Sequence, residues 1–279
     1  MLQKNILLNS LKESFSMIWK NKSLFVLLCI LQIAFFVVLV LLSSIYFTKM
    51  IENAKAMSDY IASQKLDDIS VSSNILQKKS LLGDDPLAIS RNFNEMVKNF
   101  KIYLIYIFVL LIIFTSINWT ITYRLIKKSH FRDLIKIFSK ILIASLLYLG
   151  LVFLFFFLLF DISFTQISIE GAKLFSKYIP FLIFSAILAY FMFISLSLAS
   201  SAELKNIIQK TLRIGLKKAH YIFVVYFINI FLFVFLSSLM YYFLEKNFLV
   251  LFLSLILLVF SFAFGRIFLV NVAEKLEKS

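Results

Sequence analysis

Six stretches of about twenty or more apolar residues dominate the chain: Leu24 to Phe47, Ile102 to Tyr123, Ile141 to Phe160, Tyr178 to Ser200, Tyr221 to Tyr242 and Phe248 to Phe268. An α-helix rises about 1.5 Å per residue, so roughly 20 such residues cross a hydrocarbon core about 30 Å thick. None of the six contains Asp, Glu, Lys or His, and their one arginine, Arg266, lies near the end of the last. Backbone groups in lipid must bond internally, and long uninterrupted runs do so as helices rather than barrel strands. The pattern predicts an all-α, polytopic integral membrane protein, with six transmembrane helices arranged as three hairpins. Composition agrees, since a mean hydropathy of +0.93 over 279 residues exceeds what a water-soluble domain sustains. The first run is longer than a signal-peptide core, and no small-residue cleavage site follows it in LLSSIYFTKM, so it is expected to stay as an anchor.

Charge sets the expected orientation. The N-terminus, the two short loops after the second and fourth spans, and the C-terminus lie on one side and together carry a net charge of +13. The opposite side carries +1. Short basic loops resist translocation, so the basic side is expected in the cytoplasm, with both termini inside and the plasma (inner) membrane as the location. The overall charge of +14 would suggest nucleic acid in a soluble protein, whereas here its distribution across the membrane accounts for it and no nucleic-acid partner is expected.

The basic segments also resemble one another. Leu11-Lys12-Glu13 matches Phe131-Arg132-Asp133, and in that register Phe15, Met17, Ile18 and Lys20 fall opposite Ile135, Ile137, Phe138 and Lys140. A looser third copy begins at Leu212-Arg213, and each copy runs into a pair of spans. The expected unit is an amphipathic interfacial helix followed by a transmembrane hairpin, three times. Leu7, Leu11, Phe15 and Ile18 share one helical face, as do Phe131, Leu134, Ile135 and Phe138, and again Leu204, Ile207 and Ile208. Lys12, Arg132, Lys136, Arg213 and Lys217 are placed to meet lipid headgroups, at about 1 kcal/mol each on an anionic surface. Plain connectors obeying the positive-inside rule would carry the same charges.

The run LKESFSMIWKNKSLF before the first hairpin, echoed by FRDLIKIFSK and TLRIGLKKA, resembles uncharacterised prokaryotic six-span proteins. These are similar to the membrane domain of some glycerophosphodiester phosphodiesterases. The likeness is one of layout over nearly the whole chain. It implies a six-span membrane domain and carries no catalytic residue across. The chain departs from that layout in its long loop after the first span, and no attached hydrolase is expected.

That loop is the one sizeable polar region. The sequence is read as a single transmembrane domain, 1–279, bearing an external helical extension over 48–101. Phe47, Met50, Ile51, Ala54, Met57 and Ile61 continue a helical stripe outward from the first span. Asp85 and Pro86 read as an N-cap and first-turn proline of a second helix, whose stripe of Phe93, Met96, Val97, Phe100 and Leu104 leads into the next span. Residues Lys65 to Gly83 are expected as the tip. Asp67-Asp68 and Asp84-Asp85 match no calcium loop and are read as solvated or capping residues.

Little else points to chemistry. Spans free of carboxylates and histidines argue against a proton-coupled carrier, and the HExxH, GxSxG and phosphate-loop patterns are absent. A single cysteine, Cys29, and two distant histidines make no zinc site, so no metal, cofactor or catalytic residue is expected. The hydroxyl-rich Thr115 to Thr122 stretch, with Ser195, Ser197, Ser200 and Ser201, suits helix packing or a shared cavity. Arg124, Glu203 and Arg266 end the second helix of each repeat, and Glu203 is placed either to bridge the two arginines or to leave them snorkelling apart. The expected role is non-enzymatic: membrane organisation, contact with anionic lipid, or a partner complex. The alternative is a transporter or permease subunit working with an ATPase, for which Ala202-Glu203 followed by Gly215 is a faint echo of a coupling loop.

Overall fold

The computed structural model describes residues 6–63, 85, 87–127, 130–166, 171–201 and 203–278. Among these residues the chain forms eight helices and no strand: α1 (Ile6–Lys20), α2 (Lys22–Ser63), α3 (Ala88–Lys127), α4 (Phe131–Gln166), α5 (Gly171–Ser197), α6 (Leu204–Lys217), α7 (Ala219–Phe243) and α8 (Phe248–Lys278). Six of them, α2, α3, α4, α5, α7 and α8, are long and apolar enough to cross a membrane. Their outward faces are apolar too. On α7, Phe223, Phe227, Ile230, Phe231 and Val234 are all exposed, a surface that hydrocarbon covers and water does not. The chain is a multi-pass α-helical membrane protein.

Helix ends reflect local chemistry. Asn21 separates α1 from α2, its backbone N–H donating to Met17 O and its side-chain amide to Met17 O and Leu125 O, each near 3 Å. Lys218 separates α6 from α7 and donates its N–H to Ile214 O at 2.9 Å. The middle basic segment has no such break. Where a separate interfacial helix was expected, Phe131 to Lys140 are the opening turns of one continuous α4.

The chain divides into two compact units, one of Met1–Ala34 with Leu111–Ser279, the other Phe35–Leu110. In the smaller unit, α2 and α3 pack through Ser43 Oγ, 2.8 Å from Tyr103 OH, and through the rings of Tyr46 and Phe47 against Tyr103. Asp85 opens α3: its carboxylate accepts from Leu87 N at 3.2 Å and pairs with Arg91 at 2.7 Å. The expected tip, Lys65 to Gly83, together with Asp67, Asp68, Asp84 and Pro86, lies outside the described residues.

The larger unit is organised around the second half of α8. Ile267, Phe268, Val270, Val272 and Ala273 are wholly buried, packed among α1, α5, α6 and α7. Ala263, Gly265 and Ala273 keep the helix slender enough for close neighbours, the usual device where packing rather than water drives association. α1 meets it through an unexpected face. Ser10, Ser14 and Ile18 point inward, and Asn271 Nδ2 on α8 donates to Ser14 Oγ at 2.8 Å. Phe15, on the predicted apolar face with Ile18, is half exposed, its ring tilted against that of Phe264 with centroids 4.7 Å apart.

Candidate functional site

A cavity of about 360 Å³ lies within the larger unit. α7 lines it with Tyr226, Asn229, Ile230 and Phe233; α8 with Ser261, Phe262, Gly265, Arg266 and Leu269. Trp119 of α3 and Phe193 of α5 close the rest of the wall, their rings stacked with centroids 6.4 Å apart. The lining is mostly aromatic and apolar, and Arg266 is its only charged member. Tyr226 is held by donating its hydroxyl to Tyr190 O at 3.0 Å, and Tyr190 in turn donates to Gly215 O at 2.8 Å.

Arg266 is partly buried, and its Nη1 donates to Gln32 Oε1 of α2 at 3.2 Å. Nε and Nη2 are shut from solvent and have no hydrogen-bond partner. With α8 rising about 1.5 Å per residue, the residue sits about 12 Å along the axis from Glu274. Shutting part of a charged side chain away from water among apolar helices is costly, and one neutral acceptor offsets only part of that cost. Asn229 Oδ1 is likewise buried without a partner. Gly265 makes room for it, since a Cβ there would stand 2.8 Å from that oxygen.

A second polar cluster ties the helices together at the basic end. Lys127 Nζ lies 2.7 Å from Glu274 Oε1, and Ser200 Oγ accepts from Lys127 at 2.7 Å while donating to Glu274 at 3.0 Å. Lys210 pairs with Glu277 at 2.6 Å and Lys275 with Glu13 at 2.8 Å. Lys218 Nζ donates to Leu276 O at 2.7 Å. Beneath this layer, Tyr123 is fully buried and donates its hydroxyl to Leu196 O at 2.7 Å.

The residues singled out from sequence fall in three places. Arg266 is on the cavity wall, bonded to Gln32. Arg124 is exposed near the end of α3, and Glu203 is exposed at the N-cap of α6 without a side-chain capping bond. No ion pair among the described residues joins Arg124, Glu203 and Arg266; the carboxylates paired at that end are Glu13, Glu274 and Glu277. Lys12, Arg132, Lys136, Arg213 and Lys217 are all exposed. The hydroxyls of the second span mostly bond their own helix: Ser116 to Ile112 O, Thr120 to Ser116 O and Thr122 to Asn118 O.

Gln32 and Asn229 are functional-site residues that neither charge nor hydroxyl pattern points to. A lone amide in an otherwise apolar span was the signal available, since such a group is retained in lipid only where it finds a partner or a cavity. No protein-family model, curated protein or solved structure matches the chain.

Proposed function

We propose that the protein is a non-enzymatic component of the plasma (inner) membrane, with both termini cytoplasmic, that acts through contact of its basic end with anionic lipid, in membrane organisation or within a partner complex. One observation carries this reading. The carboxylates Glu13, Glu274 and Glu277 are used in internal ion pairs, while Lys12, Arg132, Lys136, Arg213 and Lys217 are left exposed without a carboxylate among the described residues. Exposed apolar side chains accompany them. Leu8, Phe15 and Trp19 project from α1, with Lys22 Nζ 3.9 Å over the Trp19 ring, and Ile208, Leu212 and Leu216 form an i, i+4, i+8 stripe on α6 beside Arg213 and Lys217. Cations flanking an outward apolar stripe suit the boundary between headgroups and acyl chains.

The test is lipid enrichment. Protein reconstituted in nanodiscs of mixed anionic and zwitterionic lipid, then extracted with its lipid shell, should hold anionic lipid above its bulk share, and less of it at high salt. Replacing the five cations by Gln should return the shell to bulk composition. An unchanged shell would remove the reading.

A second reading, a transporter or permease subunit, is favoured by the cavity between α3, α5, α7 and α8. An ATPase co-purifying from native membranes, its activity altered by a cavity-filling variant such as Ser261→Phe, would select it.

A further inference from the structure

We infer that the cavity beside Arg266 is a binding site for an oxyanion, carboxylate or phosphate, borne on an apolar chain: an acidic lipid whose headgroup pairs with the guanidinium and whose chain lies along the aromatic wall. The inference is independent of the surface cations, because it concerns a different part of the molecule.

Arginine stays charged under all ordinary conditions and presents five N–H donors in a planar fork. In Arg266 one edge is engaged, Nη1 on Gln32 Oε1 at 3.2 Å, and that acceptor is neutral. Nε and Nη2 have no partner, and these two atoms form the side-on edge that grips a carboxylate or phosphate through parallel bonds. Both atoms are closed to solvent, so the proposed site requires the guanidinium to turn about its last side-chain torsions and present that edge to the cavity. An arginine meant to satisfy itself inside the protein would be expected against a carboxylate, yet no described carboxylate bonds it.

The cavity supplies the remaining complementarity. A soluble anion binding alone would be served by further polar groups, but Trp119, Phe193, Ile230 and Phe233 dominate the wall, surfaces that favour hydrocarbon. Ile230 is also exposed on the outer face of α7, so the wall is continuous with the lipid-facing surface by which a chain would enter.

Full-length protein in mild detergent is titrated with oleate, dioleoyl phosphatidic acid, oleate methyl ester and inorganic phosphate, and binding is read by native mass spectrometry and by thermal shift. Oleate and phosphatidic acid should bind at a single saturable site, the methyl ester at least about tenfold more weakly, and Arg266→Gln should remove the difference. Arg266→Lys, which keeps the charge and loses the fork, should weaken both acids about tenfold and gives the answer if the Gln variant does not elute as folded protein. Saturation by phosphate alone, with the same dependence on Arg266, upholds the oxyanion site and assigns its ligand to solution. Equal binding of acid and ester, or acid binding untouched by either Arg266 variant, overturns the site.

Discussion

Lys127 at the end of α3 and Glu274 near the end of α8 lie 2.7 Å apart, 147 positions distant in sequence, and Ser200 hydrogen-bonds to both. Glu274 is the more buried partner, so the pair is screened less than a fully exposed one and its geometry is fixed by the shared serine. Lys127→Met and Glu274→Gln, measured singly and together by thermal unfolding in detergent, should give a coupling of about 0.5–1.5 kcal/mol. Strictly additive effects would mean that the pair does not hold the helices.

Two glycines in the spans should respond oppositely to a methyl group. At Gly265 a Cβ would meet Asn229 Oδ1 at 2.8 Å, so Gly265→Ala must push α7 away or turn the amide, at about 1–3 kcal/mol. At Gly150 nothing lies within 4 Å, and Gly150→Ala should be neutral or stabilise by up to about 1 kcal/mol through helix propensity. Thermal midpoints of the two variants, compared side by side, check the packing of α7 on α8.

Tyr123→Phe removes one hydroxyl from a fully buried site and leaves Leu196 O with only the longer bond from Ala199 N, at 3.4 Å. The loss should be about 1–3 kcal/mol, seen as a lowered thermal midpoint with the helical circular dichroism unchanged. A midpoint equal to wild type would indicate that water reaches that carbonyl.

Asn271→Leu breaks the amide bond to Ser14 and should loosen α1 from α8. Faster limited proteolysis at Lys12 or Lys20, with the spans still protected, is the expected outcome, whereas Phe15→Ala, on the half-exposed side of α1, should change it less.

Sequence reading reached the six spans because hydrocarbon imposes one rule on each alone: a run of apolar residues long enough to cross. It did not reach the order of burial among them. Every span is apolar all round, so nothing in its pattern separates α8, enclosed over several turns, from α7, whose phenylalanines face outward. The last apolar run ends at Phe268, while α8 continues to Lys278, where Glu274, Lys275 and Glu277 pair with residues of α3, α1 and α6. Such partners are distant in the chain, and local spacing carries no trace of them. For the same reason the charge of Arg266 is plain in the sequence, while its pairing with Gln32 is not.

The most direct test of the account is single-cysteine labelling of intact cells with a membrane-impermeant maleimide, in a Cys29→Ser background. Glu245→Cys, in the exposed turn between α7 and α8, should react from outside, and Lys217→Cys, at the basic end of α6, should react only after the cells are opened. Labelling of Lys217→Cys on intact cells, with Glu245→Cys protected, would contradict it.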